Sequence, residues 1–178
     1  MQPAVFLDRD GVLTVERGYA ISSIDEMEII PGAAECVDRL KELGYLTIVI
    51  TNQSAVAKGL YTEEYLGEMN RKLLDEVKVD DLYYCPHHPQ GIIPQYSIKC
   101  ECRKPETGMI RSAQKDHEID MSGSFMVGDR ACDILLGEKA GLKTVMVNSG
   151  YGMNKLEEEC NPDYVFEDLR GFVDFLSK

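Results

Sequence analysis

The sequence predicts an α/β protein in which a parallel sheet is covered by helices on both faces. Short apolar runs that end in polar residues or glycine alternate with segments of helical period, the pattern of repeated strand-helix units. The most polar short segments, DRDG, TNQS and GDRACD, each follow directly after one of those apolar runs. A chain of 178 residues, 44% hydrophobic, can close one well-buried core and is slightly too small for two ordinary domains, so residues 1–178 are read as a single domain.

Strands are expected at Ala4 to Leu7, Leu46 to Ile50, Asp81 to Tyr84, Phe125 to Val127 and Thr144 to Val147, with a short sixth at Tyr164 to Phe166. Pro31 and Gly32 open a helix that runs to Leu43 and stops at Gly44. Thr62 can cap a second helix, whose first turn carries Glu63 and Glu64 where carboxylates favour the helix dipole. Pro105 leads into a third helix near Met109 to His117, Gly141 ends a fourth that begins near Ala131, and Asp168 to Leu176 reads as a C-terminal helix. His117 on the third helix reads as a surface residue. Two connections, Thr14 to Ile30 and Cys85 to Lys104, exceed what a tight turn needs but are too short for a separate cap domain, so both are read as loops at the sheet rim.

Nineteen basic against 31 acidic residues give a formal charge of −12, which repels a phosphate backbone and argues against nucleic-acid binding. An anionic small-molecule substrate must then meet local positive charge. No run approaches the ~20 apolar residues of a membrane span. The N-terminus, MQPAVFLDRDGV, enters charged residues without a signal-like segment, so a cytoplasmic protein with no membrane partner is expected. In that compartment six cysteines are not a disulfide framework. Cys36 falls in the apolar spacing Ala33, Cys36, Leu40, Leu43 and reads as core.

Ligands of open α/β sheets bind at the carboxyl ends of the strands, where the polar segments fall. Asp8 and Asp10, at i and i+2 on the turn leaving the first strand, give one carboxylate that can attack and another that can move a proton, though Asp and Gly also make plain turns. Thr51, Asn52, Gln53 and Ser54 offer donors to phosphate oxygens, or simply a capping loop. Arg103 and Lys104 supply cations before a helix. Asp129 can bind a hard cation while Asp133, at i+4, orients the site from the next helix.

In order and placement these segments, DRDGV, TNQS, RKP and GDxxxD, resemble the four motifs of the haloacid dehalogenase superfamily of phosphatases, over Ala4 to about Gly152. The resemblance implies that superfamily's Rossmann-like fold with a minimal cap. It also implies a phosphatase in which Asp8 is the nucleophile, Asp10 the general acid and base, and Thr51 and Lys104 hold the transferring group. Mg2+ would be held by Asp8, the main-chain carbonyl of Asp10, and Asp129.

Cys85, His87, Cys100 and Cys102 form C-x-H, twelve residues, then C-x-C. Three thiolates and an imidazole are the tetrahedral set that structural Zn2+ prefers, and residues 85–102 are read as a zinc-binding loop; a redox-active thiol cluster is the other reading. His88 alternates away and reads as a non-ligand.

Within the superfamily the chain most resembles the D-glycero-D-manno-heptose 1,7-bisphosphate 7-phosphatases, on DRDGVLTVERGY, TNQSAVAKG, YYCPHHPQG, CECRKPETGM and MVGD. That implies a phosphorylated sugar substrate in heptose supply for lipopolysaccharide or other surface glycans. Substrate contacts would fall on Glu16, Arg17, Gly18, Tyr19, Thr51 to Ser54, Arg103, Lys104 and Arg130. The sequence departs from the family at Ala55, where glycine is usual, and at Arg130, where lysine is common; arginine keeps the charge but changes the donor geometry. A site without a cap domain is expected to be open and suits a monomer. The competing readings are a phosphatase of histidinol phosphate or another small ester, and a non-catalytic zinc-stabilised binding protein.

Overall fold

A computed structural model of the chain describes residues 1–21, 23–153 and 159–178. Six parallel strands, β1 (Ala4–Leu7), β2 (Leu46–Asn52), β3 (Asp81–Cys85), β4 (Phe125–Gly128), β5 (Lys143–Val147) and β6 (Tyr164–Phe166), lie in the order β3-β2-β1-β4-β5-β6. The helices are α1 (Ala33–Glu42), α2 (Glu63–Val77), α3 (Gly108–Asp116), α4 (Ala131–Ala140) and α5 (Leu169–Leu176).

Alternation along β1 explains why helices cover both faces. Val5 and Leu7 join a buried cluster with Val37 and Leu40 of α1, Leu66 and Met69 of α2, and Phe172 of α5. Ala4 and Phe6 point the other way, into a cluster with Met109 and Ile110 of α3 and Leu136 of α4. All four β1 side chains are fully buried, and each large one contributes roughly 1.5–3 kcal/mol by leaving water. The helix ends follow from local chemistry. Thr62 Oγ1 accepts the Tyr65 amide at 3.2 Å, Asp168 Oδ1 accepts the Gly171 amide at 2.9 Å, and α4 stops at Gly141 in the left-handed region.

The elements match the sequence expectation in kind and order, with informative differences at their ends. β2 runs two residues beyond Ile50 because its backbone pairs onward with β3, Thr51 with Tyr84 and Asn52 with Cys85. Thr51 and Asn52 are therefore strand residues. His117 leaves α3 and, partly exposed, sets Nε2 at 2.8 Å from Asp81 Oδ2.

The long connection after β1 is pinned at its base. Thr14 bridges Ile29 antiparallel, Val15 donates to the Glu28 carbonyl, and Lys72 of α2 reaches the Ile24 and Met27 carbonyls at 3.2 and 3.0 Å. The chain winds outward from β1 through β2 to β3, then returns to the other side of β1 at β4. The carboxyl ends of β1 and β4 thus flank the switch point where such sheets bind ligands. Among the described residues no helix is long and apolar enough to cross a membrane.

Candidate active site

Asp8 leaves the end of β1 with its amide bonded to the Val127 carbonyl of β4 at 2.9 Å. Asp129 leaves the end of β4. Two glycines make room for its carboxylate: a Cβ on Gly11 would lie 2.3 Å from Asp129 Oδ2, and one on Gly150 only 2.0 Å. Gly11 also turns the chain at φ +86°, a conformation that side chains disfavour. Asp129 Oδ2 accepts the Tyr151 amide at 2.7 Å, whereas its Oδ1 is buried with no hydrogen-bond partner among the described residues. Asp133, in the first turn of α4, accepts the Arg130 amide on Oδ2 at 3.1 Å.

Lys104 ties these groups together. Its ammonium lies 2.8 Å from Asp8 Oδ1, 2.6 Å from Asp133 Oδ1 and 3.1 Å from the Ile50 carbonyl, and the residue is only 3% exposed. The Asn52 side chain delivers it, accepting the Lys104 amide at 3.0 Å and donating to the Lys104 carbonyl at 3.2 Å. Burial alone would lower the ammonium's pKa, but Asp133 and Asp8 hold it above the usual lysine range.

One ammonium does not neutralise three buried carboxylates. Burial pushes Asp8 up to about 7 despite Lys104, with Asp133 and Asp10 adding repulsion. Burial also raises Asp129 to about 8, helped by Asp8 and Asp133. Carboxylate oxygens of Asp8, Asp129 and Asp133 lie within 4.8 Å of one another. Hard oxygens, excess negative charge and the orphaned Asp129 Oδ1 together fit a divalent cation of the Mg2+ type. Asp133 is already engaged by Lys104 and the Arg130 amide, which suits the supporting role expected of it.

Asp10 is held by a separate network. Arg9 grips it with a fork, Nε to Oδ1 and Nη2 to Oδ2, both at 3.0 Å; Thr14 Oγ1 and Gln53 Nε2 each donate to it at 2.8 Å. Burial alone would raise the Asp10 pKa, but Arg9, with Gln53 and Thr14, brings it below the usual carboxylate range. Behind this layer, Arg9 Nη1 meets Asn70 Oδ1 at 3.3 Å, and the Tyr61 hydroxyl donates to Gln53 Oε1 at 2.7 Å.

Gln53 departs from the sequence reading. Its amide nitrogen donates to Asp10 Oδ2 and, at 2.9 Å, to Thr51 Oγ1, while its backbone N–H goes to the Cys85 carbonyl. With those donors spent it holds Asp10 rather than a phosphate oxygen. Asn52 likewise works chiefly on the Lys104 backbone.

The remaining expected contacts line two adjoining cavities of about 500 and 340 Å3 that share Asp10, Glu16, Asn52, Ser54 and Arg130. Thr51, Arg103 and Lys104 face the smaller one with Asp8; Arg17, Gly18 and Tyr19 face the larger. Glu16 accepts the Gly18 amide at 2.6 Å, and Arg17 is turned onto Glu28 and the Glu26 carbonyl. Arg130 lies 4.6 Å over the Tyr151 ring.

Beside the smaller cavity, Cys85, His87, Cys100 and Cys102 converge. Their sulfurs are 3.1 to 3.5 Å apart, and His87 Nδ1 is 3.3 Å from Cys102 Sγ and 3.7 Å from Cys85 Sγ. The sulfurs are too far apart for disulfides, whose S–S bond is about 2.05 Å, and the donor set is one that Zn2+ accepts. His88 turns away, its Nδ1 accepting the Gln90 amide. Arg103 reaches back to the His87 carbonyl at 3.3 Å, which couples this loop to the cations of the cavity.

Arg9, Tyr61, Asn70, Gly150 and Tyr151 did not emerge from the sequence reading. The one available signal was Arg9 itself, a charged residue between two motif aspartates at the end of an apolar strand.

A model of the HAD-hydrolase-like family matches residues 101–172. The chain is 40% identical over 181 residues to D-glycero-beta-D-manno-heptose-1,7-bisphosphate 7-phosphatase of Haemophilus ducreyi, covering 98% of each chain. It is 41% identical over 182 residues to the protein of that name in Escherichia coli strain K12, covering 99% of this chain and 94% of the relative. Its fold superposes with a TM-score of 0.84 on the crystal structure of D,D-heptose 1,7-bisphosphate phosphatase from B. bronchiseptica complexed with magnesium and phosphate, at 30% identity and 98% coverage of both chains.

The glycine cradle makes a specific expectation. Gly150→Ala would push the Asp129 carboxylate off its position, and displacement of about 1 Å at such a centre costs on the order of 10²-fold in rate. Phosphate release should fall by that order while circular dichroism stays native; unchanged turnover would show that the cradle does not set the carboxylate.

Proposed function

The chain belongs to the D-glycero-beta-D-manno-heptose-1,7-bisphosphate 7-phosphatase family of HAD-like hydrolases, and on that premise we propose that it hydrolyses the 7-phosphate of that bisphosphate through a phosphoaspartate at Asp8. A role in supplying heptose for surface glycans follows from that substrate. The observation that carries the chemical reading is the meeting of Asp8, Lys104 and Asp133 beside Asp129 at the switch point of the sheet.

The proposed chemistry uses each group where it stands. An Asp8 oxygen attacks phosphorus as the bond to the sugar oxygen breaks, and that oxygen takes a proton from Asp10. Water then attacks the aspartyl phosphate, gives its proton to Asp10, and frees Asp8 and inorganic phosphate. Asp10 rests as a base under Arg9; a phosphate dianion arriving beside it raises its proton affinity and favours the acid that the first step needs. Lys104 keeps Asp8 oriented and offsets phosphoryl charge, and Thr51 lines the same cavity.

The residues that would hold Mg2+ are Asp8, the Asp10 main-chain carbonyl and Asp129, with Asp133 behind them. Mg2+ bound there supplies positive charge against the phosphoryl oxygens. In a protein of net charge −12, Lys58 and Arg130 at the larger cavity give the rest of a doubly phosphorylated sugar a local positive surface. Zn2+ on Cys85, His87, Cys100 and Cys102 is structural in this reading, since protein ligands fill all its positions.

Turnover of the two heptose bisphosphate anomers and of histidinol phosphate by the purified protein tests the assignment. The heptose ester should be strongly preferred and Asp8→Asn should abolish its hydrolysis; preference for histidinol phosphate refutes the substrate, and full activity in Asp8→Asn refutes the mechanism.

Metal binding should depend on pH with a defined sign. Asp8 and Asp129 have folded pKa values above their unfolded one, so the metal-free fold holds extra protons and loses relative stability as pH rises from the ordinary carboxylate value of 3.8 up to about 7 to 8. Mg2+ must displace those protons, so its affinity should climb from pH 6 to 8 and then level off. Thermal melts with and without Mg2+ across that range measure it, and a pH-independent stabilisation would contradict it.

Metal analysis should find one zinc per chain. Stripping it in excess Mg2+ should lower the melting temperature by roughly 5 °C or more, reversibly on adding zinc. A protein that melts identically without zinc would remove the structural role.

A further inference from the structure

Arg9 is 3% exposed, and burying a guanidinium is strongly unfavourable unless it is paired and hydrogen-bonded. Its partners show what that placement achieves. The fork to Asp10 fixes the plane of the carboxylate, and Asn70 on α2 anchors the third nitrogen at 3.3 Å. Asn70 is itself 5% exposed, and its amide nitrogen has no hydrogen-bond partner among the described residues, so its orientation is set by the bond to Arg9. On the other side Tyr61 fixes Gln53 by its carbonyl end, turning the amide nitrogen onto Asp10.

A carboxylate has roughly four acceptor positions, and on Asp10 the two Arg9 nitrogens, Thr14 and Gln53 take one each. Asp10 can carry a proton only when one of these donors releases it. Thr14 and Gln53 each hold by a single bond, whereas Arg9 holds both oxygens at once and keeps the plane while one neighbour lets go.

We infer that Arg9 is a positioning residue that orients Asp10 for proton transfer to the leaving oxygen, with Asn70 as its anchor. The inference rests on the reading of Asp10 as the proton carrier. It differs from simple charge compensation for Asp8 and Asp10, because a lysine would preserve the charge and lose the fork.

The test compares kcat/KM of the Mg2+-loaded protein on the heptose bisphosphate, whose alkoxide leaving group needs a proton, and on p-nitrophenyl phosphate, whose phenolate leaves without one. General acid catalysis is worth about 10²- to 10⁴-fold where it is needed. Asp10→Asn should therefore lose far more on the alkyl ester than on the aryl ester. Arg9→Lys should show the same selectivity, with a loss at least ten times larger on the alkyl ester, and Asn70→Leu, which leaves Arg9 in place, should show it in smaller measure. A merely structural role would lower both substrates alike. If Asp10→Asn is selective while Arg9→Lys and Asn70→Leu are not, the inference about Arg9 is overturned and the role of Asp10 stands. If Asp10→Asn is not selective, the role of Asp10 fails and the inference with it. Should Arg9→Lys not fold, Asn70→Leu decides.

Discussion

The interaction on which the site depends is the sharing of one buried ammonium, that of Lys104, between Asp8 and Asp133. Without it, carboxylates from the ends of β1 and β4 would face one another in a region nearly closed to water, and repulsion would drive them to protonate or separate. The fold spends several features on keeping that ammonium there. β2 extends far enough to place Asn52 against the Lys104 backbone, the Ile50 carbonyl receives a third ammonium bond, and Asp133 is set by the first turn of α4. A single cation still leaves the group short of positive charge, which is why the arrangement suits a divalent metal and, beyond it, a phosphoryl group.

Much of this was legible in the sequence because the signals are local. An apolar tetrapeptide before Asp8, a glycine after Asp10, and carboxylates at i and i+4 after β4 each declare a strand end and its chemistry without reference to the rest of the chain. The cysteine and histidine spacing was equally explicit. What the sequence concealed depends on contacts between distant segments. Asn70 lies one helix away from Arg9, and nothing in the pattern of α2 distinguishes it from an ordinary polar residue on a half-buried face. Gln53 reads as a donor to phosphate until Tyr61 and Asp10 are seen to claim both ends of its amide. Strand ends were underestimated where pairing with a neighbour, invisible in a single segment, carried β2 through Thr51 and Asn52.

The cysteine loop and the cations of the smaller cavity share a covalent neighbourhood. Cys102 precedes Arg103 directly, and Arg103 returns to the His87 carbonyl, so the loop that has no regular secondary structure of its own is tied at both ends of its cysteine and histidine cluster. Tyr96 adds a second attachment through Glu63 at the start of α2. Order in this loop is therefore order in the wall of the smaller cavity.

The strand order carries a consequence for how the protein is made. β1 emerges first during synthesis, yet one of its two neighbours in the finished sheet, β4, is made only after β2, β3 and three helices. Until residue 129 has left the ribosome, Asp8 sits on an open sheet edge with its partner carboxylate missing. An incomplete chain therefore lacks the Asp129 carboxylate and the β4 flank of β1, and that unpaired flank is the surface through which a stalled nascent chain would associate with others.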